Sequence, residues 1–195
     1  MFKTNIALPA IAITVAIATI SGCATSVRMP TEKVNPPPRA ALSTFASFEV
    51  KSINVTESCE KQSGGDVALS EIQTRLNTGL GALIDNWNAQ KKSTASQKLL
   101  IEPICVDIKL IGTAKRIFTG PLSGSSAVVM RVRYSDAVSG KVIAEPVFYQ
   151  RASAMGSAYS FGATDRDMLN RITALIVNYT SGNYQEAVGG PTGLD

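Results

Sequence analysis

The chain has 195 residues, 45% of them hydrophobic, with 19 Lys and Arg against 15 Asp and Glu, a formal balance of +4. That length and apolar content suit one compact domain with a core of ordinary size, and so small a surplus of scattered cations is no nucleic-acid footprint. With no histidine anywhere, Ser–His and Cys–His nucleophile pairs, His-containing zinc sites and imidazole acid–base chemistry are excluded.

The first 22 residues read as a targeting segment. Lys3 is followed by an apolar run from Ile6 to Ile20, no acidic residue precedes Cys23, and small residues close the run in Ile20-Ser21-Gly22-Cys23. The run is short for a span of roughly twenty residues and contains Pro9, which argues against a membrane helix. Ile20 to Cys23 resembles the lipobox of bacterial lipoproteins. The resemblance implies diacylglycerol transfer to the Cys23 thiol, cleavage after Gly22 and acylation of the new amino terminus. Several acyl chains would then hold the protein durably, at about 0.8 kcal/mol per buried methylene. Ala24 stands where an aspartate would favour the inner membrane in enterobacteria-like sorting, so the expected location is the outer membrane, lipid-anchored and facing the periplasm.

Residues 23–44 are polar and rich in proline, with Pro30 and Pro36-Pro37-Pro38. They are expected to form a lipidated, extended tether that holds the domain clear of the lipid. A single α+β domain is expected over 45–186. Phe48, Val50, Ile53 and Val55 mark a first strand. Gly64-Gly65 interrupts the chain, and Ser70 with Gln73 offers a capping box for a helix whose stripe is Leu69, Ile72, Leu76, Leu80, Leu83, Ile84 and Trp87. Trp87 is expected to close the core, and Gly79 and Gly81 to weaken the helix locally.

Leu99 to Leu110 reads as a half-buried strand, with Ile104, Val106, Ile108 and Leu110 on one side and Cys105, Asp107 and Lys109 on the other. Cys105 is thus expected to project away from the main apolar row. With Cys23 acylated, Cys59 and Cys105 remain as a pair in an oxidising compartment, and a disulfide between them is expected. Buried free thiols are the alternative.

Two further strands, Ala127 to Tyr134 and Lys141 to Gln150, flank the turn Ser135 to Gly140, with Arg131 and Arg133 on the polar face and Pro146 demanding an edge or bulge. After a Gly/Ser/Ala loop from Met155 to Ala163, Thr164 or Asp165 would cap a final helix with the stripe Met168, Leu169, Ile172, Leu175, Ile176 and Tyr179, ended by Gly182. Residues 187–195 are expected to be a flexible tail. The fold class is α+β: a mainly antiparallel sheet of about four strands with two amphipathic helices packed on it.

No catalytic constellation is displayed. In Gly120 to Gly124 the serine falls one place too late for a nucleophile elbow, and the spacing of Ser123, Ser125 and Ser126 does not argue for a dyad with Lys115. Asp165 and Asp167 read as helix-start carboxylates. No P-loop, dinucleotide fingerprint or EF-hand occurs, so no cofactor, metal or enzymatic activity is expected.

The stretch Ile101 to Tyr184 resembles a widespread family of Gram-negative lipoproteins classed as a domain of unknown function, through Lys115-Arg116, Gly120 to Ser126, the strand Ala127 to Tyr134, the turn Asp136 to Gly140, Lys141-Val142-Ile143-Ala144 and the closing helix. Its element order is more distantly similar to transport-auxiliary and curli-secretion lipoproteins. The resemblance implies a non-catalytic interaction or auxiliary module in outer-membrane assembly or transport, with an envelope protein or a second copy as partner, the membrane as anchor and no nucleic acid. The alternative is a small-ligand or cell-wall-binding lipoprotein using loops Thr119 to Ser126 and Met155 to Ala163.

Overall fold

The structure, a computed structural model, describes residues 27–90, 97–111, 124–152 and 163–194. The expected leader over residues 1–22, Cys23, Lys115, Ser123 and most of both Gly/Ser loops lie outside these residues.

In chain order the elements are β1 (Val34–Asn35), a 3-10 turn (Leu42–Thr44), β2 (Ser47–Val50), β3 (Asn54–Val55), α1 (Glu57–Glu60), α2 (Gly65–Gln90), β4 (Lys98–Lys109), β5 (Ala127–Asp136), β6 (Val142–Ala144), β7 (Val147–Arg151), α3 (Ala163–Gly182) and β8 (Gly190–Pro191). The class is α+β, and the main sheet is six-stranded and mixed rather than mainly antiparallel with four strands. β2 and β3 run parallel to β4, which is antiparallel to β5; β6 and β7 both pair antiparallel with β5.

The parallel edge follows from chain order. A long helix between two neighbouring strands returns the chain to the end where it began, whereas a tight hairpin reverses it. The extra strands arise from interruption. The single strand expected over 45–55 breaks between Val50 and Asn54, and the one expected over 141–150 breaks at Glu145-Pro146, where the proline nitrogen has no hydrogen to donate to the ladder. The Val132 amide still bonds across the gap to the Pro146 carbonyl at 3.0 Å, so both halves stay beside β5.

Helices α2 and α3 cover one face. Ile72, Leu76, Leu80, Ile84 and Trp87 from α2 and Met168, Leu169, Ile172, Ile176 and Tyr179 from α3 meet Leu99, Ile101, Cys105, Ile108, Val128, Met130, Val132 and Tyr134 in one buried cluster. Trp87 closes its far end, stacked on Tyr184 with ring centroids 4.0 Å apart and tilted against Phe48 at 5.1 Å. Helix α2 starts at Gly65, one turn before the expected capping box. Gly64, at φ +73°, turns the chain there, and the Gln73 side chain instead accepts from the Ile53 amide at 2.7 Å.

The phase expected for β4 is corrected. Leu99, Ile101, Pro103 and Cys105 point to the helices, and a register shift between Cys105 and Asp107 inserts Val106 as an extra residue before Ile108 resumes the inner row. Such a bulge turns the side chains beyond it to the other face. Cys105 therefore belongs to the apolar core, with no exposure.

Described segments within the stretches expected as tether and tail are stitched to the domain. Val34–Asn35 pairs antiparallel with Gly190–Pro191. Asn35 receives the Val147 amide at 2.8 Å and donates to its carbonyl at 2.9 Å. Tyr179 donates to the Pro36 carbonyl at 2.9 Å, and Leu42 is wholly buried. At the other end Asn183 accepts from the amides of Val188 and Gly189 and donates to the carbonyls of Tyr179 and Gly189. The proline-rich stretch is bound along the domain through Asn35, Pro36 and Leu42.

Candidate interaction surface

Of the residues singled out in the sequence, Cys59 and Cys105 are brought together. Cys59, in α1, is bonded to Cys105, with Cα atoms 6.2 Å apart. Strand β3 sets this up by placing Val55 opposite Cys105, while the Thr56 hydroxyl donates to the Val106 carbonyl at 2.9 Å. The bridge pins α1 against the bulge.

The sheet face opposite the helices carries a charged band and a small apolar patch. Arg133 lies opposite Glu102 on β4, and its Nε is 3.8 Å from a Glu145 carboxylate oxygen. Arg131 lies opposite Ile104. Near the β2 edge, Glu49 contacts both Lys51 and Lys98, and hydrogen bonds from these ammonium groups hold its carboxyl down to about 2. Toward the start of β5 the face turns apolar: Ala127, Val129 and Tyr149 are covered by Val27, Val106, Val147 and Leu194. Val27 and Leu194 thus cover one part of this face, and paired charges occupy much of the rest.

Neither sheet edge is an open template. One is broken into two short strands and carries Lys51; the other is broken at Pro146 and carries Glu145, features that oppose edge-to-edge pairing.

The other displaced ionisable groups are also engaged structurally. Asp136 is 5% exposed, and bonds from the amide and hydroxyl of Ser139 and the amide of Val138 hold its carboxyl below its usual range. Burial pushes the Tyr134 phenol up, against an opposing hydrogen bond from its contact with Thr180 at 2.6 Å. Ser126 is fully buried and accepts the Ile111 amide at 3.0 Å. Asp165 lies in the first turn of α3 and Asp167 pairs with Arg171 one turn on, in keeping with helix-start carboxylates. Among the described residues no cluster of three or more Cys, Asp or Glu side chains is arranged to hold a metal ion, and no helix is long and apolar enough to cross a membrane.

What remains is a groove of about 970 Å³ on the outer side of the helix pair, lined by Ser70, Thr74 and Thr78 of α2 and Asn170, Ala174 and Asn178 of α3, among others. Its floor is narrow because α2 and α3 approach closely at Gly79, where an added Cβ would lie 2.8 Å from Val177. Val67 and Glu71 also line a second depression of about 380 Å³ that reaches Leu110 and Ile111 at the end of β4. Periodicity marks the inner stripes of both helices, but it does not reveal that their outer faces leave a furrow; Gly79 and the small residues beside it were the available signal.

No family model and no curated protein matches the chain. Among solved structures, the PelC dodecamer from Paraburkholderia phytofirmans is similar at 16% identity, covering 80% of this chain and 98% of that one with a TM-score of 0.40. A Xanthomonas campestris protein assigned to DUF330 is similar at 12% identity over 82% and 97% of the two chains, TM-score 0.41. A putative lipoprotein from Caulobacter crescentus is similar at 14% identity over 68% and 83%, TM-score 0.29.

Proposed function

We propose that this protein is a lipid-anchored, non-catalytic component of the Gram-negative envelope, held by Cys23 at the outer membrane and binding another envelope protein or a second copy of itself through the outer face of the α2–α3 pair. The observation that carries this reading is the attachment sequence Ile20-Ser21-Gly22-Cys23, which stands immediately before a chain stitched to one folded core. A domain built to be carried on a lipid needs a surface for its partner, and the interhelical groove is the broad concave surface left uncommitted among the described residues. Among the described residues, the ionisable groups with displaced titration are tied into turns, ion pairs and the core.

The test is site-specific photocrosslinking of the acylated protein in its native envelope. A crosslinker at Thr74, in the groove, is expected to capture one defined partner that a crosslinker at Val138 does not, and Cys23→Ser is expected to abolish capture. Equal capture from both positions, or capture indifferent to Cys23, would contradict the reading. Saturable binding of a muropeptide or lipid in the groove with no protein captured would favour the ligand-binding alternative.

A further inference from the structure

The chain is fixed to the domain only four residues after the attachment cysteine. Val27 already packs in the apolar cluster over Ala127, Val129 and Tyr149, and the Arg28 amide donates to Asp107 Oδ2 at 3.3 Å. Even fully extended, the interval from Cys23 to Val27 spans at most roughly 14 Å. The proline-rich stretch that would have served as a spacer lies after this point and is bound along the fold through Asn35, Pro36 and Leu42. Any lipid on Cys23 therefore brings a particular end of the domain to the bilayer.

We infer that the end of the sheet where β4 finishes and β5 begins is a membrane-apposed surface, and that its partner is the phospholipid headgroup layer. The inference rests on the acylation of Cys23 proposed above. The surface has suitable chemistry. Arg28, Lys61 and Lys109 line one depression of about 530 Å³ together with Ser58, Gln62 and Asp107. Lys61 also pairs with Glu57 at the solvent edge. Asp107 faces the Arg28 amide, and the cations are positioned to meet headgroup phosphates at short range. Because β5 runs ten residues away from this end, its far end is about 30 Å further from the lipid at the usual strand rise. The turn after Asp136, with Val138 82% exposed, therefore faces the aqueous space, and the helix pair stands alongside rather than beneath the sheet.

The test uses the full acylated protein in phospholipid vesicles that include headgroup-spin-labelled lipid. An environment-sensitive fluorophore is placed on Ser63→Cys, which lines the depression beside Leu110 and Ile111 at the end of β4, or on Lys61→Cys as a second near position, and separately on Val138→Cys. Quenching several-fold stronger at the near positions than at Val138 is expected, and ten Gly/Ser residues inserted after Thr25 should remove that difference. Equal quenching, stronger quenching at Val138, or no response to the insertion, in protein whose Cys23 acylation is verified by mass spectrometry, would overturn the orientation alone. Protein found without acyl groups on Cys23 would overturn the anchor reading and the orientation with it.

Discussion

Gly79 and Gly81 are indistinguishable by helix propensity, yet they occupy different environments. A Cβ on Gly79 would meet Val177 Cγ2 at 2.8 Å, whereas one on Gly81 would meet nothing within 4 Å. Gly81→Ala is expected to raise stability by up to about 1 kcal/mol through propensity. Gly79→Ala gains the same term but must displace a β-branched side chain, so a net loss of about 1 kcal/mol is expected; urea denaturation of the two variants checks the opposite signs. The buried phenols set an alkaline limit. Burial pushes Tyr179 from 10.0 up to about 12 and moves Tyr134 in the same direction. An unfolded chain loses these protons first, so stability should be intact below about pH 10 and fall as the pH rises toward 12 and beyond. Tyr134→Phe, which removes the ionisable group, should flatten part of that fall in a pH series of thermal melts.

The helices are the elements most legible in the sequence, because a buried stripe repeating at three and four residues leaves its signature directly in residue order. Strand faces are less legible. The bulge at Val106 reverses the side-chain phase without any marker in composition, so the inward position of Cys105 emerges only from its pairing with Met130. The strand–helix–strand order did carry a cue to the parallel edge, but the hairpin around Asp136 dominates a local reading. Terminal pairing is the least legible, since β1 and β8 lie more than 150 residues apart, Pro36-Pro37-Pro38 follows the first and Gly190–Pro191 makes up the second. Asn35 is the element's fastening. It is 4% exposed and bonds both polar groups of Val147, so Asn35→Ala is expected to cost about 2 kcal/mol by leaving those groups unpaired, with faster amide exchange at Val147 as the local sign. The Cys59–Cys105 bridge closes a separation of 46 residues. Its removal by the double serine variant is expected to cost about 2–4 kcal/mol, read as a lowered denaturation midpoint relative to the oxidised protein.

At the scale of the molecule, one core joins the helix pair to the sheet, while Val27 and Leu194 help cover part of the opposite face. The candidate site divides along the same line. The bonded pair Cys59 and Cys105 is readable from residue type, while Cys23, outside the described residues, enters as the proposed attachment point. Its surface part is not readable, because a groove is made by what two helices fail to fill, and the proposed membrane-facing end depends on where Val27 packs on the fold. The proposed lipid anchor at Cys23 would turn that arrangement into an oriented module, with one end of the sheet at the headgroups and the far turn in the aqueous space. The most direct measurement is mass spectrometry of the amino-terminal peptide from protein extracted from a Gram-negative envelope. A mature chain beginning at Cys23 and carrying diacylglyceryl and amide-linked acyl groups is expected; a free Cys23 thiol, or a leader still attached, would contradict the central claim.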